Sequence, residues 1–231
     1  MAQEEEPMGM DVFQDALILV DVQNDFCPPS PGKEGSPGGA LAVQEGDRVI
    51  GPINDLSRWF AEQGGTVVAT QDWHPAGHIS FASSHHGRKA YQELTLPDGS
   101  TQVLWPEHCV QGSWGADFHV DLDPRPIRFI VRKGWRRTLD SYSTFFENDR
   151  RTTTGLDRLL KGLGIGRVFI AGLATDYCVL YSALDARALG FQTVVLQDAV
   201  RGVDVPPGSV DQAWDRLRKA GVLISDTRSI R

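Results

Sequence analysis

Short runs of apolar, largely β-branched residues recur along this chain: ALILVDVQ (16–23), TVVATQD (66–72), PIRFIVRKG (126–134), RVFIAGL (167–173), QTVVLQDAV (192–200) and VLISD (222–226). Runs that are apolar throughout, rather than alternating, mark strands covered on both faces, as in a parallel sheet. Parallel neighbours require long crossovers, and segments of helical period lie between several of the runs. Residues 47–63 place Val49, Ile50, Ile53, Leu56 and Phe60 on one face before a Gly64-Gly65 stop. GLDRLLKGLG (155–164) reads as a second helix, and Ser209 with Gln212 has capping-box spacing for a last one ending near Lys219. The pattern predicts an α/β fold: a single-domain three-layer sandwich around a mostly parallel sheet, over residues 12–231.

Bulk properties narrow the function classes. A net charge of -7 over 231 residues argues against a nucleic-acid partner, which calls for clustered Lys and Arg. No apolar run approaches the ~18–20 residues that span a bilayer. The N-terminus, MAQEEEPMGMD, reads as a flexible acidic tail (1–11) without signal-peptide order. Three cysteines do not suggest a disulfide framework. These features predict a soluble protein of a reducing compartment, most simply the cytoplasm. From 73 to 123 periodicity gives way to Gly, Pro, His and aromatic residues; a loop that long is expected to be functional, a lid or binding wall.

In parallel sheets ligands bind beyond the carboxyl ends of the strands, and reactive residues collect there. Asp21 ends the first run, Asp72 and His74 the second, and Lys133 the third; Cys178 follows RVFIAGL through a Gly-Leu-Ala-Thr-Asp turn. Leu180, Leu184 and Ala188 recur at helical spacing, placing Cys178 in a helix's opening turn. Unpaired N–H groups and the helix dipole there favour a thiolate and can hold an oxyanion. Asp21 suits a general base that takes the thiol proton and later protonates the leaving group. Lys133 would hold Asp21 ionised and favour the thiolate. Cys178 would then attack a carbonyl carbon and form a thioester.

Asp72 and His74 share a side at the end of one strand, and His108 comes from the long loop. One carboxylate and two imidazoles suit a divalent metal, zinc foremost, with iron or manganese also compatible. His78 is a candidate additional ligand. His85 and His86, in SSHHGRK, are expected to be solvated, and His119 carries no expected role.

With these residues assembled, ILVDVQNDFCP, GGALAV, TQDWHPAGHISFASSH, LWPEHCVQGSWGADFH, VRKGW and AGLATDYCV resemble the nicotinamidase (pyrazinamidase) family of isochorismatase-like cysteine hydrolases over most of residues 16–200. The resemblance implies hydrolysis of nicotinamide, and of the analogue pyrazinamide, in nicotinamide recycling for NAD synthesis. It implies a triad of Asp21, Lys133 and Cys178, with no organic cofactor. Asp72, His74 and His108 match metal ligands that orient the pyridine ring. Leu173–Ala174 matches a cis peptide that aims the Ala174 and Cys178 N–H groups at the oxyanion. Phe26 and Trp105 match aromatic walls, Tyr177 stands where some members have His, and Tyr142 matches only loosely. Residues 87–104 lengthen the chain before WPEHC relative to the shortest members and are expected to alter the lid. The expected partner is a small molecule, with no nucleic acid or membrane; a homo-oligomer stays open. The rivals are a metal-independent amidase of the same fold, acting on another small amide or carbamoyl compound, and a non-catalytic binding protein. The metal-ligand set argues against the first and the complete triad against the second.

Overall fold

The computed structural model describes residue 11, residues 13–29 and residues 37–230. The expected tail, apart from residue 11, and the centre of the Pro/Gly loop lie outside the described residues. Strand β1 (Asp15–Val20) is buried along its whole length, and its alternation divides the core. Leu17 and Leu19 point to one layer, Ile18 and Val20 to the other. On the first face lies helix α1 (Ile50–Glu62), seating Ile53, Leu56 and Phe60. The second face is covered by α2 (Leu156–Gly162), α3 (Leu180–Ala188) and α4 (Ser209–Lys219). Each buried aliphatic or aromatic side chain contributes ~1.5–3 kcal/mol. This is the expected three-layer sandwich.

Strands β2 (Thr66–Asp72), β5 (Phe129–Lys133), β6 (Arg167–Leu173), β7 (Gln192–Arg201) and β8 (Leu223–Ser225) join β1 in the order β5-β2-β1-β6-β7-β8. Every pairing in this sheet is parallel. The chain winds outward in both directions from β1 and β6, so the crevice beyond their carboxyl ends is a topological switch point. Register aligns Asp72 with Lys133 across β2 and β5, and Val20 with Gly172 across β1 and β6. Gly172 (φ 118) must be glycine: a Cβ there would lie 2.1 Å from the Val20 carbonyl oxygen. No helix among the described residues is long and apolar enough to cross a membrane.

The structure departs from expectation in three places. Cys178 lies not in an α-helical turn but in a wide π-turn, Thr175–Val179, ahead of α3. The helix then buries Leu180, Ala183 and Ala186 and leaves Ala188 exposed, because it packs against both the sheet and α4. Ser209 caps nothing: its hydroxyl donates to Asp176 Oδ2 at 2.5 Å, while Gly208 is the N-cap. Within the long loop, β3 (Glu93–Thr95) and β4 (Thr101–Val103) form an antiparallel hairpin. Three-residue strands are too short to show a period, and the Pro97-Asp98-Gly99 turn was their only signal.

Candidate active site

Three strand ends converge on one buried ammonium. Lys133 Nζ lies 2.9 Å from Asp21 Oδ2 and 3.4 Å from Cys178 Sγ, and it donates to Asp72 Oδ1 and, at 3.1 Å, to the Ser141 carbonyl. Lys133 and Asp21 are fully buried and Cys178 nearly so. Asp21 sits in the left-handed region (φ 50), where the chain leaves β1. Its Oδ1 accepts the Thr70 hydroxyl at 2.6 Å, and the same hydroxyl oxygen accepts the Asp21 N–H at 3.1 Å. Oδ2 is ion-paired with Lys133 but accepts no aligned hydrogen bond among the described residues. A carboxylate oxygen of Asp21 and the Cys178 sulfur lie within 4.8 Å of each other, so the open oxygen can take the thiol proton.

Burial decides the resting charges. It pushes the Cys178 thiol well above its usual range; Lys133 opposes the rise, while Asp21 and Asp72 add to it. Desolvation thus outweighs the pull of Lys133 at the sulfur, in keeping with a base that must take the thiol proton. Burial also raises Asp21, against the pull of Lys133, which makes it a stronger base than an exposed aspartate. Lys133 stays charged: burial would lower it, but Asp21, Asp72 and Cys178 together hold it well above the ordinary lysine value.

Asp72 divides its oxygens between two clusters. Oδ1 takes the Lys133 ammonium, whereas Oδ2 lies 3.6 Å from His74 Nε2 and 4.0 Å from His108 Nε2. His74 Nδ1 donates to the Gly134 carbonyl at 2.9 Å and His108 Nδ1 to the Pro106 carbonyl at 2.8 Å. Each carbonyl can only accept, so each Nδ1 carries its proton and each Nε2 is turned toward Asp72 Oδ2. Burial, aided by His74, lowers His108 to about 4, so its imidazole is neutral. Burial opposes ionisation of Asp72, yet Lys133, His74 and His108 hold it well below the usual carboxylate range. One carboxylate oxygen and two imidazole nitrogens, all within 4.8 Å of one another, are a donor set that fits a divalent metal.

His78 is differently placed. It stacks on His74 at 4.2 Å, Nε2 donates to the Leu139 carbonyl at 3.1 Å, and Nδ1 lies 2.7 Å from the Ser80 hydroxyl. It groups with His74 and Asp140 rather than with Asp72 and His108.

Residues 15–229 match the family model described as Isochorismatase domain. The chain belongs to the isochorismatase family. A nicotinamidase of Acinetobacter baylyi is 46% identical over 215 residues, 93% of this chain and 94% of that protein. The solved nicotinamidase/pyrazinamidase of Acinetobacter baumanii superposes with a TM-score of 0.85 at 44% identity, covering 94% of this chain and 98% of its own. A pyrazinamidase of Pyrococcus horikoshii, solved in complex with zinc, matches with a TM-score of 0.70 at 38% identity over 92% of this chain and 99% of its own.

In this isochorismatase-family chain the two clusters open on one narrow cleft. Phe26, Trp105, Tyr142 and Tyr177 line it with Ala174 and Cys178, and the Leu173–Ala174 peptide is cis. Trp105 meets Tyr177 edge-on at 4.8 Å, and its Nε1 donates to Tyr142 Oη at 3.1 Å. Phe26 packs on the His108 ring at 5.5 Å. Asp140, Leu41 and Val203 also line the cleft, and sequence reasoning had not placed them there. Leu41 lies in the quoted GGALAV motif, which was a usable signal. Asp140 lies in a weakly matching stretch and had none. Gln23 was missed as well: it donates to the Asp72 carbonyl at 2.9 Å and accepts the Asp72 N–H at 2.8 Å. Of the remaining histidines, His85 is half-buried with Nε2 2.7 Å from the Ile79 carbonyl, contrary to the expected solvation, and His86 is exposed. His119 is buried away from the cleft.

Proposed function

We propose that the chain hydrolyses nicotinamide, and the ring-nitrogen analogue pyrazinamide, to the carboxylate and ammonia through a Cys178 thioester. The observation that carries this reading is the single Lys133 ammonium joining Asp21, Cys178 and Asp72 beneath an aromatic cleft. Asp21 Oδ2 takes the thiol proton as Sγ bonds to the amide carbon, and the carbonyl oxygen gains the negative charge. Lys133 offsets the charge left in the buried cluster as the proton moves. Asp21 returns the proton to the amide nitrogen while the C–N bond breaks, releasing ammonia and leaving the thioester. Water then attacks the thioester carbon, giving one proton to Asp21; the C–S bond breaks, and Asp21 reprotonates the sulfur as the carboxylic acid leaves.

Asp72, His74 and His108 would hold one divalent ion, zinc by the chemistry of the set, and the bound metal supplies a Lewis-acidic site for the ring nitrogen. Phe26 and Trp105 would sandwich a flat ring, and Tyr177, packed edge-on against Trp105, helps exclude water from the sulfur. Ammonia release from nicotinamide by metal-supplied enzyme tests the reading. Wild type is expected to turn over, and Cys178→Ala to fall at least ~10³-fold with an unchanged circular dichroism spectrum. Near-wild-type release by that variant would sink the mechanism; no release by folded, metal-supplied wild type would sink the substrate.

A further inference from the structure

Asp25 takes no part in the proposed chemistry, yet its carboxylate joins two walls of the cleft. Oδ2 accepts the Cys109 N–H at 2.7 Å, and Oδ1 accepts the Ala40 N–H at 3.0 Å. Its main-chain carbonyl accepts the Leu41 N–H at 3.0 Å. Each donor adjoins a residue of the site. Cys109 follows His108, and its carbonyl accepts the His74 N–H at 2.9 Å. Both imidazoles of the candidate metal cluster therefore hang from the Cys109 residue, one by covalent succession and one by a hydrogen bond. Cys109 has φ 47, a region a residue with a side chain enters only when its surroundings hold it there. Ala40 precedes Leu41, and Asp25 precedes Phe26, both of which line the cleft.

The fit around the carboxylate is tight. A Cβ on Gly115 would lie 1.9 Å from Asp25 Oδ2, so any larger residue there must displace that oxygen. We propose that Asp25 is a positioning residue for metal binding: by fixing the Cys109 peptide it holds His108 and His74 in the geometry that binds the ion. This rests on the assignment of Asp72, His74 and His108 as ligands. Hydrogen-bonding partners that orient metal ligands typically set affinity by 10–100-fold. Asp25→Asn swaps one acceptor for a donor facing an N–H, whereas Gly115→Ala shifts the same carboxylate without changing its charge.

The test measures zinc dissociation constants by chelator competition, with thermal melts, on full-length wild type, His108→Ala, Asp25→Asn, Gly115→Ala and Asp198→Asn. Asp198 is the control: it accepts the Thr227 N–H at 2.9 Å and hydroxyl at 2.6 Å, outside the cleft. Asp25→Asn and Gly115→Ala are expected to bind zinc roughly 10–100-fold more weakly, and Asp198→Asn to melt lower but bind as wild type does. If Asp25→Asn does not fold, Gly115→Ala decides. A folded Asp25→Asn or Gly115→Ala that binds zinc as tightly as wild type, while His108→Ala does not, overturns the proposal alone. Equal weakening in Asp198→Asn overturns it too, by showing general softening. Equal binding by wild type and His108→Ala removes the ligand assignment and this proposal with it.

Discussion

Strand ends and loops hold the two sides of the cleft by different means. On the strand side, Asp72 and Lys133 are set by sheet register, paired directly across β2 and β5, and Asp21 follows the end of β1, held by the Thr70 hydroxyl. Their side chains then satisfy one another in a closed cluster. On the loop side, His108, Leu41 and Val203 lie outside the strands, while Trp105 is held by its main-chain bonds to Ser80 and Ala82. Side-chain clips on main-chain groups hold the others: Asp25 on Cys109 and Ala40, and Asp176 on Val203 and Asp204. A register-set cluster fails as a unit when one charge is lost, whereas a clipped wall fails locally.

Lys133→Met is the most severe test of that contrast. It leaves Asp21 and Asp72 as buried carboxylates without their cation, at a cost of roughly 3–5 kcal/mol, and a melting point lower by about ten degrees. Turnover should fall at least ~10³-fold because the proton relay loses its counter-charge. The loss of stability should be smaller at pH 5 than at pH 8, since burial raises the Asp21 pKa and protonation relieves the stranded charge. Melts at both pH values and ammonia release check this; a variant as stable and active as wild type would mean the cluster is not a unit.

The same contrast explains what the sequence made legible. Asp21, Asp72 and Lys133 stood out because a polar residue closing a buried strand needs a partner, and strands announce themselves by composition. The sheet followed from the same runs. The weight of burial at Cys178 did not, because burial of the sulfur is a property of the whole layer and not of the local turn. Asp25 and Gln23 look like loop residues in a linear reading; their importance lies in hydrogen bonds to main chain tens of residues away. Ser209 misled for a related reason: its hydroxyl had a better acceptor in Asp176 than the helix end it precedes.

Tyr177→Phe breaks one clip on the loop side and leaves the strand side intact. Tyr177 Oη donates to the Val205 carbonyl at 2.5 Å, and Val203, on the same segment, lines the cleft. Losing a hydrogen bond worth ~1 kcal/mol loosens that wall. KM for nicotinamide should rise about fivefold with kcat within about twofold, because the bond acts on substrate and transition state alike. Steady-state kinetics decide it: a collapse in kcat at unchanged KM would place Tyr177 with the reacting groups instead.

Glu147 offers the mildest test, because it affects stability without touching the cleft. It is buried, and Oε2 has no hydrogen-bond partner among the described residues. Burial raises its pKa to about 7, against the pull of Lys133 and Arg136. The folded chain thus keeps a proton that the unfolded chain, with an ordinary glutamate near 4.5, has released. Stability from this group is complete below about pH 4.5 and falls as pH rises to about 7, by at most ~3 kcal/mol. Glu147→Gln removes the titration. The variant should match wild type at pH 4.5, melt several degrees higher at pH 8, and retain wild-type kcat and KM. Parallel melting curves for the two proteins across that range would show that Glu147 ionises as an exposed carboxylate does.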